Sequence, residues 1–473
     1  MERQGLLSET EERPWVLTKD AFLAELKKTG AMAVPMVAVS VSMYLLQVIS
    51  LMMVGHLGQR ALSGVAVASS FCNVTGISLL YGLAGALETL CGQAYGAEQY
   101  QNVGGYIYSA IISLFPICFM ISILWIFIDK LLILFDQDLH IAIVAREYAI
   151  CMLPVLYCAA ILHPLVRYFL IQGLILPMLS ITLVAICFHM PISWTLIYKW
   201  ELGVKGAAFA NDVSDWLIVI LLALYMRYSS SCEKTRSPCW GNCVSSVKEF
   251  FRFAIPSAVM ICLEWWTFEI LIFLSGLLPD SELQTSVLSI CLSTTSVHYM
   301  IQNGIGAAAS ARVSNDLGAG NPWSAKTVVI VVLVVSLTEA AIVSIVLFLC
   351  RNVFGYAYSN DKGVVSYVSQ LAPLLSYSIV VDSLLAVLAG IVRGCGWQHI
   401  GAFINVGAYY LVGLPLSVVL AFVLQLGVKG LWIGVLVGST VQLIVLSGII
   451  ALTNWQTQST NARKRIFEGA TLN

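Results

Sequence analysis

Four carboxylic acids lie deep inside long apolar stretches of this sequence: Glu264, Glu269, Glu339 and Asp382. A charged side chain at the centre of a bilayer costs roughly 2.5–3.5 kcal/mol on insertion scales, so acids at such depths are typical of paired or functional sites. Burial disfavours the charged form of a carboxyl group, and a second carboxyl group nearby disfavours it further. Such acids can take up and release a proton, which indicates chemistry that needs no metal and no other cofactor.

Helical geometry separates the roles of these acids. Glu264 and Glu269 are five positions apart, roughly 140° around a helix, so the two side chains cannot face the same point. For Glu269 and Glu339 we favour a structural interpretation, in which a protonated or hydrogen-bonded acid ties helices together. Glu88, in "LETLCGQ", is expected to cap a helix or to join two halves of the molecule.

Histidines and cysteines give weaker signals. His163 and His298 lie in apolar stretches, and an unperturbed histidine side chain has a pKa of about 6.5. A lone histidine on an apolar helix is, however, usually packed and hydrogen-bonded. Cys232, Cys239 and Cys243 cluster in the polar segment "SCEKTRSPCWGNC". Their spacing matches no familiar pair of CxxC motifs and no histidine is near, so we expect free thiols rather than a metal site.

The overall composition shows what kind of molecule positions the acids. The chain is 59% hydrophobic and only 11% charged, with a mean hydropathy of +0.86, whereas soluble domains carry roughly 25% charged residues. The net charge of −1 gives no basic surface for nucleic acid. The first thirty residues lack the apolar region of a signal peptide, so the first apolar stretch is expected to stay in the membrane.

Twelve stretches are apolar and long enough to cross a bilayer as helices of about 20 residues. They predict an all-α polytopic membrane protein with spans near 31–54, 65–87, 104–128, 147–169, 177–198, 206–227, 249–276, 286–308, 326–350, 367–392, 402–424 and 429–452. An even number of spans puts both termini on one side. With the termini in the cytoplasm, 17 of the 25 Lys and Arg residues fall on the cytoplasmic side, as the positive-inside rule requires.

A sequence repeat indicates two related halves. The pentapeptide "LGVKG" at Leu202–Gly206 recurs at Leu426–Gly430. At nearly the same offset, "AVP" ending at Pro35 recurs as "AIP" ending at Pro256, and "MPIS" recurs as "LPLS". Six helices repeated in parallel give two bundles that face each other with a site between them, which is a transporter architecture.

The repeat divides the chain into five parts. We predict a cytoplasmic tail at 1–30, an N-lobe of six spans at 31–228, a cytoplasmic connector at 229–247, a C-lobe of six spans at 248–453 and a cytoplasmic tail at 454–473. Small residues in "GLAGA" and "GIGAAASA" let helices approach closely. The segments that follow them, "GQAYGAEQ" and "NDLGAGNP", are predicted to form tight cytoplasmic turns.

Several long segments carry a resemblance to a known family: "LETLCGQAYGAEQY", "CLEWWTFEILIFLSGLLP", "ARVSNDLGAGNP" and "RGCGWQHIGAFINVGAYYLVGLP". The sequence resembles the plant branch of the multidrug and toxic compound extrusion (MATE) family, also called DETOXIFICATION proteins, over nearly its whole length. The resemblance implies a V-shaped pair of six-helix lobes. It also implies export of organic compounds against an inward flow of H⁺ or Na⁺, with the plant members regarded as proton-coupled.

The candidate coupling residues lie in the C-lobe. At the offset that relates Pro35 to Pro256, Glu264 corresponds to Met43 and Glu269 to Val48, so we expect deep acids in the C-terminal half alone. The resemblance agrees, because a Glu on span seven and an Asp on span ten form a cation site in related carriers, and these match Glu264 and Asp382. Glu269 is a weaker candidate for the same role.

The resemblance also points to a missing group. Bacterial relatives with an N-lobe coupling site carry an Asp on span one, and the corresponding position here is Ser50, in "SLMMVG". Aromatic residues suggest the substrate surface: Trp265 and Phe268 adjoin Glu264, and Tyr44 is the repeat partner of Trp265. Such rings bind planar or cationic organic molecules, although rings on membrane helices also face lipid.

These observations favour a secondary antiporter that exports organic cations, xenobiotics or plant metabolites in exchange for protons, by alternating access between two lobes. We expect a monomer in the plasma or vacuolar membrane. A Na⁺-coupled exporter and a lipid-linked precursor flippase are the alternatives, but a flippase should line its cavity with Lys and Arg, and the deep spans carry few. No HExxH or GxSxG motif indicates an enzyme.

Overall fold

The computed structural model describes residues 16–134, 139–237 and 243–469, and within these ranges every regular element is a helix. Twelve long helical segments follow the twelve predicted stretches. The N-lobe contains spans one to six, with bounds Lys19–Gly55, Ala61–Gly96, Tyr100–Ile126, Leu153–Ile171, Ile175–Lys199 and Gly203–Tyr228. The C-lobe contains spans seven to twelve, with bounds Ser246–Ser275, Ser281–Gly318, Pro322–Leu349, Lys362–Cys395, Gln398–Val423 and Gly427–Ala451.

Eleven of the twelve described spans are recognised as membrane spans by their length and hydropathy. Span eight is the exception, because it is less apolar than the others. It packs against spans one, two, nine and ten, which belong to both lobes. Three polar residues of its second half therefore contact protein rather than lipid, since Gln302, Ser310 and Ser314 are all fully buried. A central position explains how a helix of low hydropathy is accommodated in the membrane.

Shorter helices flank the spans. Helices at Ile128–Leu134 and Leu139–Cys151 precede span four, and Trp455–Gly469 follows span twelve. The prediction of one continuous span four from 147 is wrong, because the chain breaks at Met152 before Leu153–Ile171 begins. Pro154 in the first turn of that helix has no N–H to donate, which favours a helix start at this point.

Tight turns follow spans two and eight, but they are shorter than predicted. Helix continues to Gly96 in span two and to Gly318 in span eight, so only three residues separate each helix from the next. Gly320 supplies the expected positive φ, at 83°, whereas the other two glycines pack: a Cβ atom on Gly96 would overlap the backbone of Asn315, and one on Gly318 would overlap that of Gln93. Two helix ends therefore interlock across the two lobes.

The backbone repeats at the offset found in the sequence. A π-helical turn closes span five at Thr195–Lys199, and another closes span eleven at the equivalent position, Val419–Val423. The two glycines that begin the "GVKG" sequences, Gly203 and Gly427, both have positive φ, at 54° and 58°. A positive φ favours glycine, which accounts for glycine at this position in both copies of the pentapeptide.

The last glycine of this pentapeptide has a packing role. A Cβ atom on Gly206 would lie 2.7 Å from Leu196 O, and one on Gly430 would lie 2.8 Å from Leu420 O. Leu196 and Leu420 are themselves equivalent positions of the repeat. Spans five and six thus meet in the same way as spans eleven and twelve.

The two lobes contact each other reciprocally. A Cβ atom on Gly82 of span two would lie 2.6 Å from Ala258 Cα of span seven, and one on Gly304 of span eight would lie 2.6 Å from Val37 Cα of span one. Each contact is the repeat counterpart of the other. The lobes therefore meet through equivalent surfaces, as the subunits of a twofold dimer do.

Candidate functional site

Glu264 and Asp382 approach each other inside the C-lobe. Glu264 lies midway along span seven and Asp382 midway along span ten, and the two carboxyl groups are close enough to interact electrostatically. Tyr409 of span eleven lies within electrostatic range of both acids, and Tyr299 of span eight lies near Glu264. Neither carboxyl group makes a hydrogen bond or a close ion pair with any described residue.

A small cavity adjoins Asp382. Its walls come from spans seven, ten and twelve, and they include the predicted substrate residue Phe268. The other lining residues are Leu271, Ser378, Trp432, Val435, Leu436 and Ser439. The acid therefore has an open side, where a water molecule or another small group can reach it.

Glu269 and Glu339 have partners, unlike Glu264 and Asp382. Glu269 accepts a short hydrogen bond from Ser70 Oγ, which joins span seven to span two. Glu339 of span nine accepts hydrogen bonds from His298 Nε2, at 3.1 Å, and from Gln302 Nε2. These contacts join helices, which is the structural role favoured for both acids from the sequence.

The predicted aromatic residues lie in three different places. Trp265 stacks on Tyr81 of span two, with ring centroids 5.7 Å apart, so it faces the contact between the lobes. Trp266 also contacts span two, where its Nε1 donates to Val74 O at 3.0 Å. Tyr44 lies on span one and is only partly buried. The structure therefore does not bring Tyr44, Trp265 and Phe268 together around one cavity.

Ser50 belongs to a polar cluster in the N-lobe. Its Oγ donates to Asn211 Oδ1 at 2.8 Å and lies 3.0 Å from His189 Nε2. His189 Nδ1 is 2.7 Å from Ser214 Oγ, so the cluster joins spans one, five and six. An uncharged hydroxyl group at this position is fully hydrogen-bonded.

The expectation that deep acids belong only to the C-lobe is wrong. Asp212 and Asp215 lie on span six, inside the N-lobe, and interact electrostatically with each other. Asp212 is 6% exposed, and neither of its carboxylate oxygens has a well-formed hydrogen bond. The nearest donor is the backbone N–H of Val155, in the first turn of span four. The sequence signal is present in "NDVSD", but this short polar run resembles the beginning of a span.

Glu88 lies between two buried arginines. Its Oε1 is 2.8 Å from Arg167 Nε of span four, and its Oε2 accepts a hydrogen bond from Arg393 Nε of span ten at 2.8 Å. Glu88 is 1% exposed, and Arg167 and Arg393 are nearly as buried. Because Glu88 and Arg393 belong to different lobes, this ion pair crosses the lobe contact, in agreement with a structural role for Glu88.

His163 is partly buried and Cys232 is buried, and the contacts of these two residues do not indicate catalysis. His163 packs edge-on against Tyr81, with ring centroids 5.4 Å apart. Cys232 is a buried free thiol in the segment after span six; Cys239 lies outside the described residues, and Cys243 begins the helix of span seven. Across the part of the chain that the structure describes, no group of three or more His, Cys, Asp or Glu side chains is arranged to hold a metal ion.

Comparison with known proteins identifies the family to which this two-lobed chain belongs. The MatE family model matches the chain twice, at residues 35–195 and 256–419, and the two matches begin at the repeated prolines, Pro35 and Pro256. The chain belongs to the MatE family. It is therefore a MATE transporter, an efflux carrier of a family that consists of transporters and not of enzymes.

Relatives support this assignment along the whole chain. The chain is 55% identical to Protein DETOXIFICATION 3 of Arabidopsis thaliana, over 93% of both proteins. It is 50% identical to Protein DETOXIFICATION 14 of the same plant, over 98% of this chain and 96% of that one. The MATE transporter is thus a multi-pass membrane protein similar to plant detoxification carriers.

Solved structures have the same fold. The crystal structure of the eukaryotic MATE transporter AtDTX14 superposes with a TM-score of 0.91 at 50% identity, covering 94% of this chain and 100% of that chain. A variant of the Vibrio cholerae MATE transporter VcmN superposes with a TM-score of 0.83 at 16% identity, covering 93% and 100%. The fold of twelve helices in two six-helix lobes is confirmed.

Proposed function

We propose that this MATE transporter exports small organic compounds in exchange for protons, with Glu264 and Asp382 as the proton-binding pair. The observation that carries the proposal is the state of these two acids. They approach each other inside the C-lobe, and neither has a hydrogen-bond or close ion-pair partner among the described residues. An acid without a fixed partner can change its protonation state without breaking other contacts.

Protons fit this pair better than Na⁺ does. A Na⁺ site needs several oxygen ligands in a fixed arrangement, as hard cations generally do. Glu264 and Asp382 are instead surrounded by tyrosines, and the cavity beside Asp382 is lined largely by apolar side chains. An apolar surrounding favours the neutral, protonated acid over the ion. No cofactor takes part in the proposed cycle.

Organic cations with flat rings are the proposed substrate class. Trp265 and Tyr81 present stacked rings at the contact between the lobes, and Glu264 adjoins Trp265 in the sequence. Aromatic faces attract cations and stack on planar molecules. We propose that the lobes rock against each other, so that this region opens in turn to the two sides of the membrane and the transporter works as a monomer.

The test uses purified protein in Na⁺-free liposomes loaded with a fluorescent organic cation. An inward proton gradient should drive export, and a Na⁺ gradient without a pH difference should not. Glu264→Gln mimics the protonated acid, so it should keep substrate counterflow but lose its response to the pH gradient. Glu339→Gln is the matched control, because Glu339 is hydrogen-bonded to His298 and Gln302 and should not be needed for proton coupling.

Two results would contradict the proposal. The first is transport by the parent protein that depends strictly on Na⁺. The second is a Glu264→Gln variant that the pH gradient accelerates as fully as it accelerates Glu339→Gln. Measuring gradient-driven transport and counterflow in the same preparation separates a coupling defect from a misfolded protein.

We propose further that both termini face the cytoplasm, in the plasma or vacuolar membrane. Arg and Lys side chains are concentrated on the side of the termini, as the positive-inside rule requires. Cys350 is exposed and follows span nine on the opposite side. A membrane-impermeant thiol reagent should therefore label Cys350 in a sealed right-side-out preparation, and Cys239 in the connector only after the membrane is opened. The reverse pattern would overturn the orientation.

A further inference from the structure

Arg393 lies near acids of both lobes. It donates a hydrogen bond from Nε to Glu88 Oε2 of the N-lobe at 2.8 Å. It also lies within electrostatic range of Glu264 in its own lobe. One buried guanidinium group therefore connects the proposed proton-binding pair to an ion pair that crosses the lobe contact.

The ion pair lies on the side of the two chain termini. Spans two, four, eight and ten all end on that side, and Arg393 is two residues from the end of span ten. Neighbouring polar contacts reinforce the same place: Thr89 Oγ1 donates a short hydrogen bond to Arg393 O, and Gln93 Nε2 donates to Gly394 O at 3.1 Å. Opening the lobes on this side requires all these contacts to separate.

The charges of this region, of which Glu88, Arg167 and Arg393 are buried and Glu264 and Asp382 are partly buried, nearly balance. Two guanidinium groups, of Arg167 and Arg393, face three carboxyl groups, of Glu88, Glu264 and Asp382. With one proton shared by Glu264 and Asp382, the five groups are neutral together. A second proton leaves one uncompensated positive charge in a buried region, which is unfavourable.

Other titratable groups face this cluster from the elements packed against it. Arg465, of the helix Trp455–Gly469, donates to Cys395 O at 3.2 Å, two residues after Arg393, and adds a further positive charge on this side. Tyr81 of span two lies under Arg167, whose Cζ is 4.5 Å from the ring centroid. His163 of span four lies beside Arg167, Tyr299 of span eight near Arg393, and Tyr409 of span eleven near Glu264. The three tyrosines contribute hydroxyl groups rather than carboxyl or guanidinium groups, and a protonated His163 would only add to the excess of positive charge.

We propose that Arg393 transmits the charge of the Glu264–Asp382 pair to the lobe contact. While the pair holds one negative charge, the Glu88–Arg393 ion pair is balanced and keeps the lobes together on the side of the termini. When the pair is fully protonated, the excess charge on Arg393 weakens this contact and favours lobe opening there. The inference rests on the proposed proton coupling, which it extends by naming the residue that links the proton to the movement. Arg393 is thus a positioning residue and need not touch the substrate.

The experiment measures the distance between the lobes directly. Spin labels are placed on cysteines introduced at Gln101 in the N-lobe and Asn321 in the C-lobe, two exposed positions on the side of the termini, after the native accessible cysteines are replaced. Pulsed electron-spin resonance then records the distance distribution from pH 8 to pH 5 without substrate. The parent should change from a short to a longer distance as the pH falls.

Three variants test the role of Arg393. Glu264→Gln, with Asp382 left in place, should reach the longer distance at a higher pH than the parent. Glu88→Gln should show the longer distance at every pH, because the contact across the lobes is lost. Arg393→Lys keeps the positive charge and should keep the pH response of the distance between the lobes. It provides a second test if Glu88→Gln does not fold.

The matched control is a second ion pair across the lobes. Glu25 of span one accepts hydrogen bonds from Arg312 of span eight at 2.8–3.1 Å, and Arg312 pairs with Glu25 and Asp316 rather than with Glu264. Glu25→Gln should therefore leave the pH response unchanged. Lobe distances that do not respond to pH or to Glu264→Gln, in a protein that still performs proton-driven transport, would overturn the inference and leave the proposed function intact. An absence of proton-driven transport would instead reject the proposed function.

Discussion

In the N-lobe, the acids between the fourth and sixth spans lie on the sixth: Asp212 faces the first turn of span four, and Asp215 lies near Cys158. In the C-lobe, the acid lies on the fourth helix of the lobe: Asp382 of span ten lines a small cavity with Leu436 and Ser439 of span twelve. At the offset of the "LGVKG" repeat, Asp212 and Asp215 correspond to Leu436 and Ser439 themselves. The fourth and sixth helices thus meet near an acid in both lobes, but the acids lie on opposite helices.

The backbone around these acids differs much less between the two lobes than the side chains do. Gly206 packs against Leu196 and Gly430 packs against the equivalent residue, Leu420. The π-helical turns of spans five and eleven also occupy equivalent positions. Duplication has therefore preserved the close contacts that let helices pack, while the polar side chains have diverged. We infer that the fold is common to the two lobes and that coupling chemistry belongs to one of them.

The largest expected effect concerns the C-lobe acids. Glu264→Gln and Asp382→Asn should each abolish gradient-driven export, because a neutral amide cannot release a proton. Initial rates in proteoliposomes with an imposed pH gradient measure the effect, and detergent-solubilised yield and gel-filtration profile control for folding. Normal rates in both variants would place proton coupling outside this pair of acids.

The next effect concerns the shared backbone. Gly206→Ala and Gly430→Ala should each destabilise the protein by about 1–3 kcal/mol, because the new methyl group meets backbone atoms that cannot move away easily. Thermal unfolding in detergent measures the change. Gly448→Ala in span twelve is the control, since its new methyl group meets no atom within 4 Å. A clear loss at Gly206 but none at Gly430 would show that the two lobes are packed less alike than their backbones suggest.

A smaller effect is expected for the N-lobe acids. Asp212→Asn should slow transport by a few-fold at most and keep the response to a pH gradient, because the amide oxygen can still face the N–H of Val155. The same liposome measurement gives the answer, with Asp215→Asn in parallel. If Asp212→Asn were as inactive as Asp382→Asn, proton coupling would have to involve both lobes.

The smallest effect is expected at Ser50. Ser50→Ala removes its contacts with His189 and Asn211, which should cost about 1 kcal/mol of stability. Export should stay largely intact, since no ionisable group is lost. Thermal unfolding and transport are measured together, and abolished export in a well-folded Ser50→Ala protein would show that the N-lobe cluster takes part in coupling.

Much of the fold could be predicted from the sequence, because bilayer thickness fixes the length of an apolar helix and "LGVKG" marks a backbone position that needs glycine. The ends of spans two and eight could not be predicted in this way. Their glycines have the pattern of turn residues, and only the partner helix shows that Gly96 and Gly318 pack against another backbone. Sequence separates a turn glycine from a packing glycine poorly, because both uses favour a residue without a side chain.

The candidate site was predictable only in part, for a similar reason. Glu264 and Asp382 are conspicuous because apolar residues surround them in the sequence. Asp212 and Asp215 are not, because Asn211 and Ser214 lie beside them and the segment resembles the polar start of a span. The ion pair of Glu88 with Arg393 joins residues 305 positions apart. No local pattern indicates such a pair, since it depends on how the lobes meet.

The reciprocal glycine contacts between the lobes have a consequence for how the chain is built. Gly82 packs against span seven in the same way as Gly304 packs against span one. Each half of the chain therefore offers the other half the same contact surface. Such self-complementary surfaces would suit two separate polypeptides equally well. The connector keeps the halves at a high effective concentration, and its Thr235 also contacts the N-lobe through Tyr168 and Gln172. A chain expressed as two fragments, divided after Thr235, should therefore retain in each fragment the contacts needed to find its partner.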